Sequence, residues 1–431
     1  MRIRLTILAI FISMTAIAQG LDDLEPRSVE PSRTPLTPYH NLASALANDA
    51  AASRFRAPLA EFVRSTEGAT VRYTSHFVKP VSWLNRQQLV RVDFCDTAYR
   101  LYVNGREVGY SPSGVLPCEF NITKVTVEGR NEIAIVAEGA SRSNRLYCSA
   151  AKGLGAVEVL CPPTIRLRDI SAQVRMNEVG DAVAEFAMPV KCDALNRKSA
   201  VFHYTLRLND TILLAEGYRD MALAMRGEDS VRFACVVPKS ALWSTAAPTM
   251  VRLDVESRID NRIAECVSRN IALRELSQRK GALYVNGERV KLNMVEYSAL
   301  SSLDEVAKYG YNTVILTYDK GADTVIAECE RRGIYVVVRT PIDTTALGDN
   351  IRRGGNPSND PLWGGLYIAL NDRTLHLTKG YGAVVGYAIA KGKTTGVNIY
   401  DTYLYMKQNG DARLVIYEGA GGEWCSDKIE K

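Results

Sequence analysis

The residues of this sequence that could do chemistry are polar side chains that follow predicted strands in its last third. Glu418 follows the apolar run Leu414–Tyr417, and Asp343 follows the valine-rich run Ile334–Arg339. A carboxyl group held at the end of a strand can act as a general acid, a general base or a nucleophile. Both are also explained as ordinary solvated carboxylates, since most Asp and Glu residues lie on the surface.

Seven further side chains in this region could line a cleft with these two carboxyl groups, although solvated loop positions would explain most of them as well. They are Glu296, Tyr318, Asp319, Arg339, Lys391, Lys393 and Trp424. The four His residues are scattered, and no His or Cys pair has the spacing of metal ligands. We therefore expect neither a metal nor a cofactor.

The elements that would position these residues alternate between strands and helices. A hairpin with an Asn286-Gly287 turn comes first, and the alternation that follows predicts parallel βα units of the barrel type. Predicted strands are 312–317, 334–339, 384–390 and 414–417, and predicted helices are 302–309, 322–332 and 399–408. Ser301 or Ser302 is the expected cap of the first helix, and Gly333 ends the second. We assign 277–431 to an incomplete, TIM-barrel-like domain.

Two β-rich regions precede this domain, so the predicted fold class is multidomain β plus α/β. In 64–163, short strands follow at short intervals, and Asn104-Gly105 fits a type I′ turn between two of them. This pattern predicts a jelly-roll sandwich. In 164–276, apolar and polar residues alternate with a period of two, as around Phe233, which predicts an immunoglobulin-like sandwich.

The first residues have the features of an export sequence. Met1–Arg4 is basic, Leu5–Ile17 is mainly apolar, and Ala16-Ile17-Ala18 is a small-x-small cleavage site, so 1–18 is predicted to be a signal peptide. The apolar run is shorter than the roughly 20 residues that span a bilayer. Residues 19–63 are predicted to be a linker and an Ala-rich helical segment over 41–63. We expect an exported protein without a membrane span, either periplasmic or extracellular and cell-surface associated.

Composition agrees with a globular chain of two to three domains, since 46% of the 431 residues are hydrophobic. The net charge of +5 falls to +3 when Arg2 and Arg4 are removed, which does not suggest nucleic acid or a membrane surface as a partner. Nine cysteines without a CxxC motif are expected to be mainly buried thiols. A bridge between Cys148 and Cys161 stays open as an alternative.

A family resemblance lies in the first β-rich region. Gly109-Tyr110-Ser111, Leu116–Thr123 and Gly129–Ile133 resemble, in order and spacing, the sugar-binding jelly roll of glycoside hydrolase family 2, the family of β-galactosidases and β-glucuronidases. The segment Leu283–Leu292 resembles the lead-in to that family's catalytic barrel. The resemblance covers about 73–423 and implies the same order of three domains.

The resemblance also implies where the family's chemistry would lie. A retaining glycosidase uses two carboxyl groups about 5 to 5.5 Å apart at the C-terminal ends of barrel strands. The family's strand-end motif places its acid at Gly392, and glycine has no proton to donate. Three further motifs of the family can be placed on this sequence: G-V-N-R-H-E on Asn293–Ser298, N-A-V-R-T-S-H-Y on Asn312–Asp319 and D-E-A-N-I-E on Val338–Asp343. In each of them, this sequence has other residues at the positions of the family's polar cleft residues. The family's nucleophile is expected on a seventh strand, beyond Lys431.

The sequence therefore predicts a protein without catalytic residues, a pseudoenzyme that binds carbohydrate or is a structural or assembly component of the envelope. The alternative is an active glycosidase, either with relocated acids such as Glu418 or Asp343 or with a second chain that completes the barrel. Five strands do not close a barrel of eight. We expect 348–371 with the tail from Gly421, or a partner protein, to cover the open side.

Overall fold

The computed structural model describes residues 23–95, 97–147, 153–177, 181–348 and 355–428. The predicted signal peptide lies outside the described residues, and so does Cys148. Of the eight described cysteines, seven are buried and Cys235 is half-buried, and no disulfide joins them. Burial raises the pKa of the Cys161 thiol to about 11. In the ranges that the structure describes, no helix is long and apolar enough to cross a membrane.

The first β-rich region folds into two antiparallel sheets. They have the strand orders β2-β3-β8-β5-β6 and β1-β9-β4-β7. Asn104 and Gly105 have φ angles of 50° and 75°, as the predicted turn between β5 and β6 requires. The strands are β1 Arg56–Leu59, β2 Val63–Glu67, β3 Thr70–Lys79, β4 Leu89–Val92, β5 Tyr99–Val103, β6 Arg106–Ser111, β7 Cys118–Asn121, β8 Gly129–Glu138 and β9 Val157–Leu160.

The predicted helical segment over 41–63 is only partly helical. Helix α1 spans Leu42–Ala47 and a short 3-10 turn spans Ala50–Ala52, but β1 and the first residue of β2 fall in the same range. Residues of β1 pair with β9, which gives them ladder hydrogen bonds that a short isolated helix could not match. Pro58 disfavours a helix there and is tolerated because β1 is an edge strand.

The second β-rich region is a sandwich of two four-stranded sheets, which confirms the predicted architecture. One sheet has the order β10-β12-β11 with β15 also paired to β12, and the other has the order β14-β13-β16-β17. Phe186 and Tyr204 both stack on Phe233 between the sheets. The strands are β10 Ile165–Leu167, β11 Ser171–Met176, β12 Ala182–Cys192, β13 Lys198–Leu208, β14 Ile212–Leu223, β15 Glu228–Val237, β16 Val251–Ile259 and β17 Arg262–Ile271.

The last region contains a small three-stranded sheet and a five-stranded parallel sheet. The small sheet comprises β18 Leu276–Arg279, β19 Ala282–Val285 and β20 Glu288–Val290. The parallel sheet, in chain order, comprises β21 Met294–Glu296, β22 Thr313–Thr317, β23 Tyr335–Arg339, β24 Val384–Ala388 and β25 Leu414–Ile416. Its helices are α2 Asp304–Lys308, α3 Ala322–Arg332, α4 Gly364–Thr378 and α5 Val397–Asn409.

Two expectations for the helices are wrong. Neither Ser301 nor Ser302 caps α2 through its side chain; instead the Glu305 carboxylate accepts a hydrogen bond from the Ser301 N–H. Helix α4 was not predicted. The sequence placed its first residues in segment 348–371, which was expected to cover the open side of the barrel and of which 349–354 lie outside the described residues. Helix α4 lies in the layer of helices that packs on the parallel sheet, where Asn371 accepts a hydrogen bond from Thr340 Oγ1 and donates one to the Ile389 carbonyl.

The tail does cover the open edge of β25, as expected. Asp427 N–H donates to the Val415 carbonyl at 2.8 Å, and its carboxylate accepts from Val415 N–H at 2.9 Å. Ser426 Oγ accepts from the N–H of Tyr417 at 3.0 Å. The opposite edge strand, β21, is only three residues long, which limits its exposed pairing groups.

Candidate functional site

The C-terminal ends of the parallel strands bring three of the nine candidate residues together. Glu296 is in register with Ile315, and Arg339 is in register with Thr317, two residues further along β22. Side chains in register on parallel strands, or two residues apart, point to the same face of the sheet. Glu418 follows β25 in a short 3-10 turn and reaches the same point.

Arg339 joins the two carboxylates. Its Nη1 and Nη2 donate to Glu296 Oε2 and Oε1 at 2.9 and 2.6 Å, and Nη2 also donates to Glu418 Oε1 at 2.5 Å. The Arg339 side chain is 3% exposed, whereas the side chains of Glu296 and Glu418 are 39% and 48% exposed. Burial alone would lower the pKa of Arg339, but the two carboxylates outweigh it and raise that pKa.

This geometry brings two carboxyl groups close together, as the mechanism of a retaining glycosidase requires. Both Oε1 atoms bond the same Nη2 atom, so they lie no more than about 5 Å apart. In a glycosidase, the anomeric carbon and the glycosidic oxygen lie between the two groups. Here the Arg339 nitrogen occupies that place, and both carboxylates already bind it.

Gly392 lies in a crowded loop after β24. A Cβ atom on it would lie 2.6 Å from Thr344 Oγ1 and 2.7 Å from Tyr417 Oη. Tyr417 Oη is held in place because it donates to the Thr394 carbonyl, and the backbone of Thr344 is held because its N–H donates to the Lys391 carbonyl. The position therefore has no side chain and little room for one.

Tyr318 and Asp319 do not belong to this site, contrary to the sequence-based expectation. Tyr318 is one residue beyond Thr317, so its side chain points to the opposite face and donates to Asp323 of α3 at 2.9 Å. Burial, followed by the Asp323 carboxylate, raises the pKa of Tyr318. Asp319 is exposed, and its carbonyl accepts from Ala322 N–H at the start of α3.

Asp343 and Lys391 are adjacent through their backbones and hold the Gly392 loop. They form an isolated parallel bridge, and Asp343 Oδ1 accepts from the N–H and Oγ1 of Thr345. The Lys391 and Lys393 side chains are exposed. The Asp343 carboxylate therefore fixes a turn.

Trp424 forms a separate aromatic surface with two tyrosines that sequence reasoning missed. Its ring stacks on Tyr400 at 4.8 Å and meets Tyr403 edge-on at 6.1 Å, and Trp424 is 58% exposed. Tyr400 and Tyr403 lie three residues apart on α5, so they share one helix face. That spacing was the signal available in the sequence.

The nine candidates do not line one cleft. Five cavities in the described part of the chain include none of them in their linings. Within the same residues, no group of three or more His, Cys, Asp or Glu side chains is arranged to hold a metal ion. The site consists of one buried guanidinium between two partly exposed carboxylates.

Comparison with known families agrees with this architecture. Residues 51–146 match the model of the glycosyl hydrolases family 2 sugar binding domain, and residues 305–430 match the family 2 TIM barrel domain. Together the two matches cover about half of the chain, in the order found in the structure. The chain belongs to glycosyl hydrolase family 2. In the family motifs quoted above, Arg and Glu stand at the positions of Glu296 and Arg339, so this chain exchanges the two charges.

Curated family 2 relatives include a β-galactosidase of Yersinia pestis, 24% identical over 389 residues, which cover 83% of this chain and 37% of that protein. The chain thus spans little more than a third of that relative. Among solved structures, Bacteroides uniformis β-glucuronidase 2 has a TM-score of 0.65 at 17% identity, covering 81% of this chain and 46% of that one. A Ruminococcus gnavus β-glucuronidase has a TM-score of 0.62 at 13% identity, covering 81% and 63%. These likenesses concern the fold.

Proposed function

We propose that this protein is an exported, non-catalytic member of family 2 that binds carbohydrate. The observation that carries the proposal is Gly392, which stands where the family motif has its acid and is crowded by Thr344 and Tyr417. Without an acid at that position, the leaving oxygen of a glycoside would receive no proton from the enzyme.

The ion-paired carboxylates support the same conclusion. Glu296 and Glu418 are both bound to Arg339, which fills the space that a substrate's reacting atoms would need. Breaking these contacts to admit a sugar would leave a buried guanidinium without its partners, which is costly. The arrangement is suited to holding the ends of β21, β23 and β25 together.

Carbohydrate binding is proposed for the surface formed by Trp424, Tyr400 and Tyr403. An exposed indole supported by a second ring offers a rigid apolar platform for the C–H face of a sugar. Polar groups lie beside it, since Glu423 Oε1 accepts from Thr395 Oγ1 at 3.3 Å. The family 2 match over the jelly roll, described as a sugar binding domain, also fits this class of ligand.

A glycan array followed by calorimetric titration of the best ligand tests the proposal. Trp424→Ala is expected to weaken binding at least about fivefold, because stacking on an aromatic ring contributes about 1 kcal/mol. Tyr218→Ala is the matched control, since Tyr218 is an exposed aromatic residue, 62% exposed, on the immunoglobulin-like sandwich. Equal effects of both variants, or no glycan bound, would reject the proposal.

An active glycosidase is the second candidate, because the short separation of Glu296 and Glu418 favours it. In that case one of the two would act as acid and the other as nucleophile after Arg339 moved away. Activity would then be lost on changing either residue to Gln, while Glu423→Gln would retain it.

Export is proposed from the sequence of residues 1–18. The mature chain would begin at Gln19 and lie in the periplasm or at the cell surface. N-terminal sequencing of protein recovered from the envelope fraction tests this, and a chain that keeps Met1 in the cytoplasm would contradict it.

A further inference from the structure

A row of alternating charges crosses one sheet of the jelly roll, far along the chain from the barrel. Glu158 of β9, Arg91 of β4 and Glu119 of β7 are in register on adjacent strands, and Arg56 of β1 donates to Glu158 Oε2 at 2.6 Å. Arg33 closes the row with a bidentate pair to Glu119, with contacts of 2.9 and 3.2 Å. Burial opposes ionisation of Glu119, but Arg33 and Arg91 keep its pKa below the usual range.

The row forms the floor of a cavity of about 180 Å³. The N-terminal segment Arg33–Pro38 covers one side, and Arg166 and Glu265 of the immunoglobulin-like sandwich face it from the other. Phe55, Leu36 and Val267 add apolar walls. This volume is enough to hold several water molecules or one small ligand.

Among the four carboxyl groups of the lining, that of Glu265 is the one without an ion pair to a cation. It is 1% exposed, and within the described residues its only hydrogen bond comes from Leu167 N–H at 2.5 Å. Each lining arginine is paired with a different carboxylate: Arg33 with Glu119, Arg56 with Glu158, Arg91 with Asp93 and Arg166 with Asp193. Burial raises the pKa of Glu265 to about 8, so at neutral pH it mainly carries a proton that it can donate.

These features define the class of ligand. A charged molecule would add an unpaired charge to a lining whose arginines are each already paired with a carboxylate, which is costly in a partly buried site. A polyol suits it, because every hydroxyl is both donor and acceptor and so matches alternating guanidinium and carboxylate groups. The apolar walls would contact its C–H groups, as in other small-molecule sites.

We propose that this cavity, at the junction of the N-terminal segment, the jelly roll and the immunoglobulin-like sandwich, binds a small neutral polyol or monosaccharide, with Glu265 as a specificity-determining contact. The site is separate from the Trp424 surface and does not depend on the proposed function of that surface.

Titration calorimetry on the full mature chain at pH 7 tests the proposal with glycerol, myo-inositol, D-galactose and D-glucose as neutral probes. D-glucuronate and D-glucosamine serve as charged counterparts. We expect at least one neutral probe to bind and the charged ones to bind at least about tenfold more weakly. Failure of all neutral probes to bind, or tighter binding of a charged probe, would overturn the proposal.

Variants locate the site. Glu265→Gln keeps a donor and an acceptor and should change affinity by no more than about threefold, whereas Glu265→Leu should reduce it at least about tenfold. If Glu265→Leu does not fold, Leu36→Trp fills the cavity from the N-terminal segment and should abolish binding. Glu185→Gln, an exposed position on β12, is the matched control and should bind as the parent does. Unchanged binding in Leu36→Trp would show that the ligand lies elsewhere, and Trp424→Ala should leave this affinity unaltered.

Discussion

Nη2 of Arg339 lies 2.6 Å from Oε1 of Glu296, and the pair connects the first strand of the parallel sheet to the third. The same nitrogen reaches Glu418 beyond the fifth strand. The C-terminal edge, where family members place their catalytic groups, is here held together by a shared ion pair.

Removing the guanidinium should destabilise the fold. Arg339→Met leaves two carboxylates facing each other without a counter-charge, and we expect a loss of about 2 kcal/mol in the free energy of unfolding. This is below the value for a wholly buried pair because Glu296 and Glu418 are partly exposed. Urea unfolding measures it. Arg331→Met, at an exposed ion pair on α3, should leave the free energy of unfolding close to that of the parent, and equal losses in the two variants would contradict this role for Arg339.

Gly392→Ala should also destabilise, by about 1 to 3 kcal/mol, because its Cβ would overlap Thr344 Oγ1 and Tyr417 Oη. Adding Thr344→Ala removes one of these atoms and should recover part of the loss. A double-mutant cycle in urea detects this coupling. Strict additivity would show that the loop has more room than the contacts indicate.

Stability should depend on pH through Glu265. Its folded pKa of about 8 lies above the unfolded value of about 4.5, so the folded state holds more protons between these values. The stabilisation that this raised pKa gives the folded state is complete below pH 4.5. It is lost as the pH rises through 8, at up to about 1.4 kcal/mol per pH unit. Glu265→Gln should therefore gain stability relative to the parent from pH 5 to pH 8. Melting temperatures at both pH values test this, with Glu185→Gln as the control, and a pH-independent difference would refute it.

The tail should prevent association through β25. Asp427→Ala removes the carboxylate that accepts from Val415 N–H, Tyr403 Oη and Lys407 Nζ, so the strand edge would be exposed. Light scattering should then show a concentration-dependent rise in mass. Asp401→Ala, at an exposed position on α5, should have the mass of the parent. A monomeric Asp427→Ala variant would mean that other contacts protect the edge.

Local patterns predicted much of the fold but little of the site. The Asn104-Gly105 and Asn286-Gly287 turns, the end of α3 at Gly333 and the parallel strands depend on short-range chemistry, and each is found in the structure. Helix α4 was missed because the Gly364-Gly365 start suggests a loop and because buried Asn371 interrupts its apolar stripe.

The site depends on contacts between distant residues. Glu296, Arg339 and Glu418 meet only through the register of three strands, which no local pattern specifies. Tyr318 was expected in the cleft but lies on the opposite face, because a shift of one residue in a strand reverses the direction of its side chain. The family resemblance located Gly392, but its crowding by Thr344 and Tyr417 could not be predicted, because these residues approach it only in the folded chain.

Hydrolysis of activated aryl glycosides tests the central claim most directly. The purified mature chain is incubated with aryl β-galactoside, β-glucuronide and β-mannoside from pH 4 to pH 9, beside Glu296→Gln, Glu418→Gln and Gly392→Glu. We predict no turnover above the buffer blank for any of the four proteins. Turnover by the parent chain that survives repurification and disappears in Glu296→Gln or Glu418→Gln would contradict the non-catalytic account.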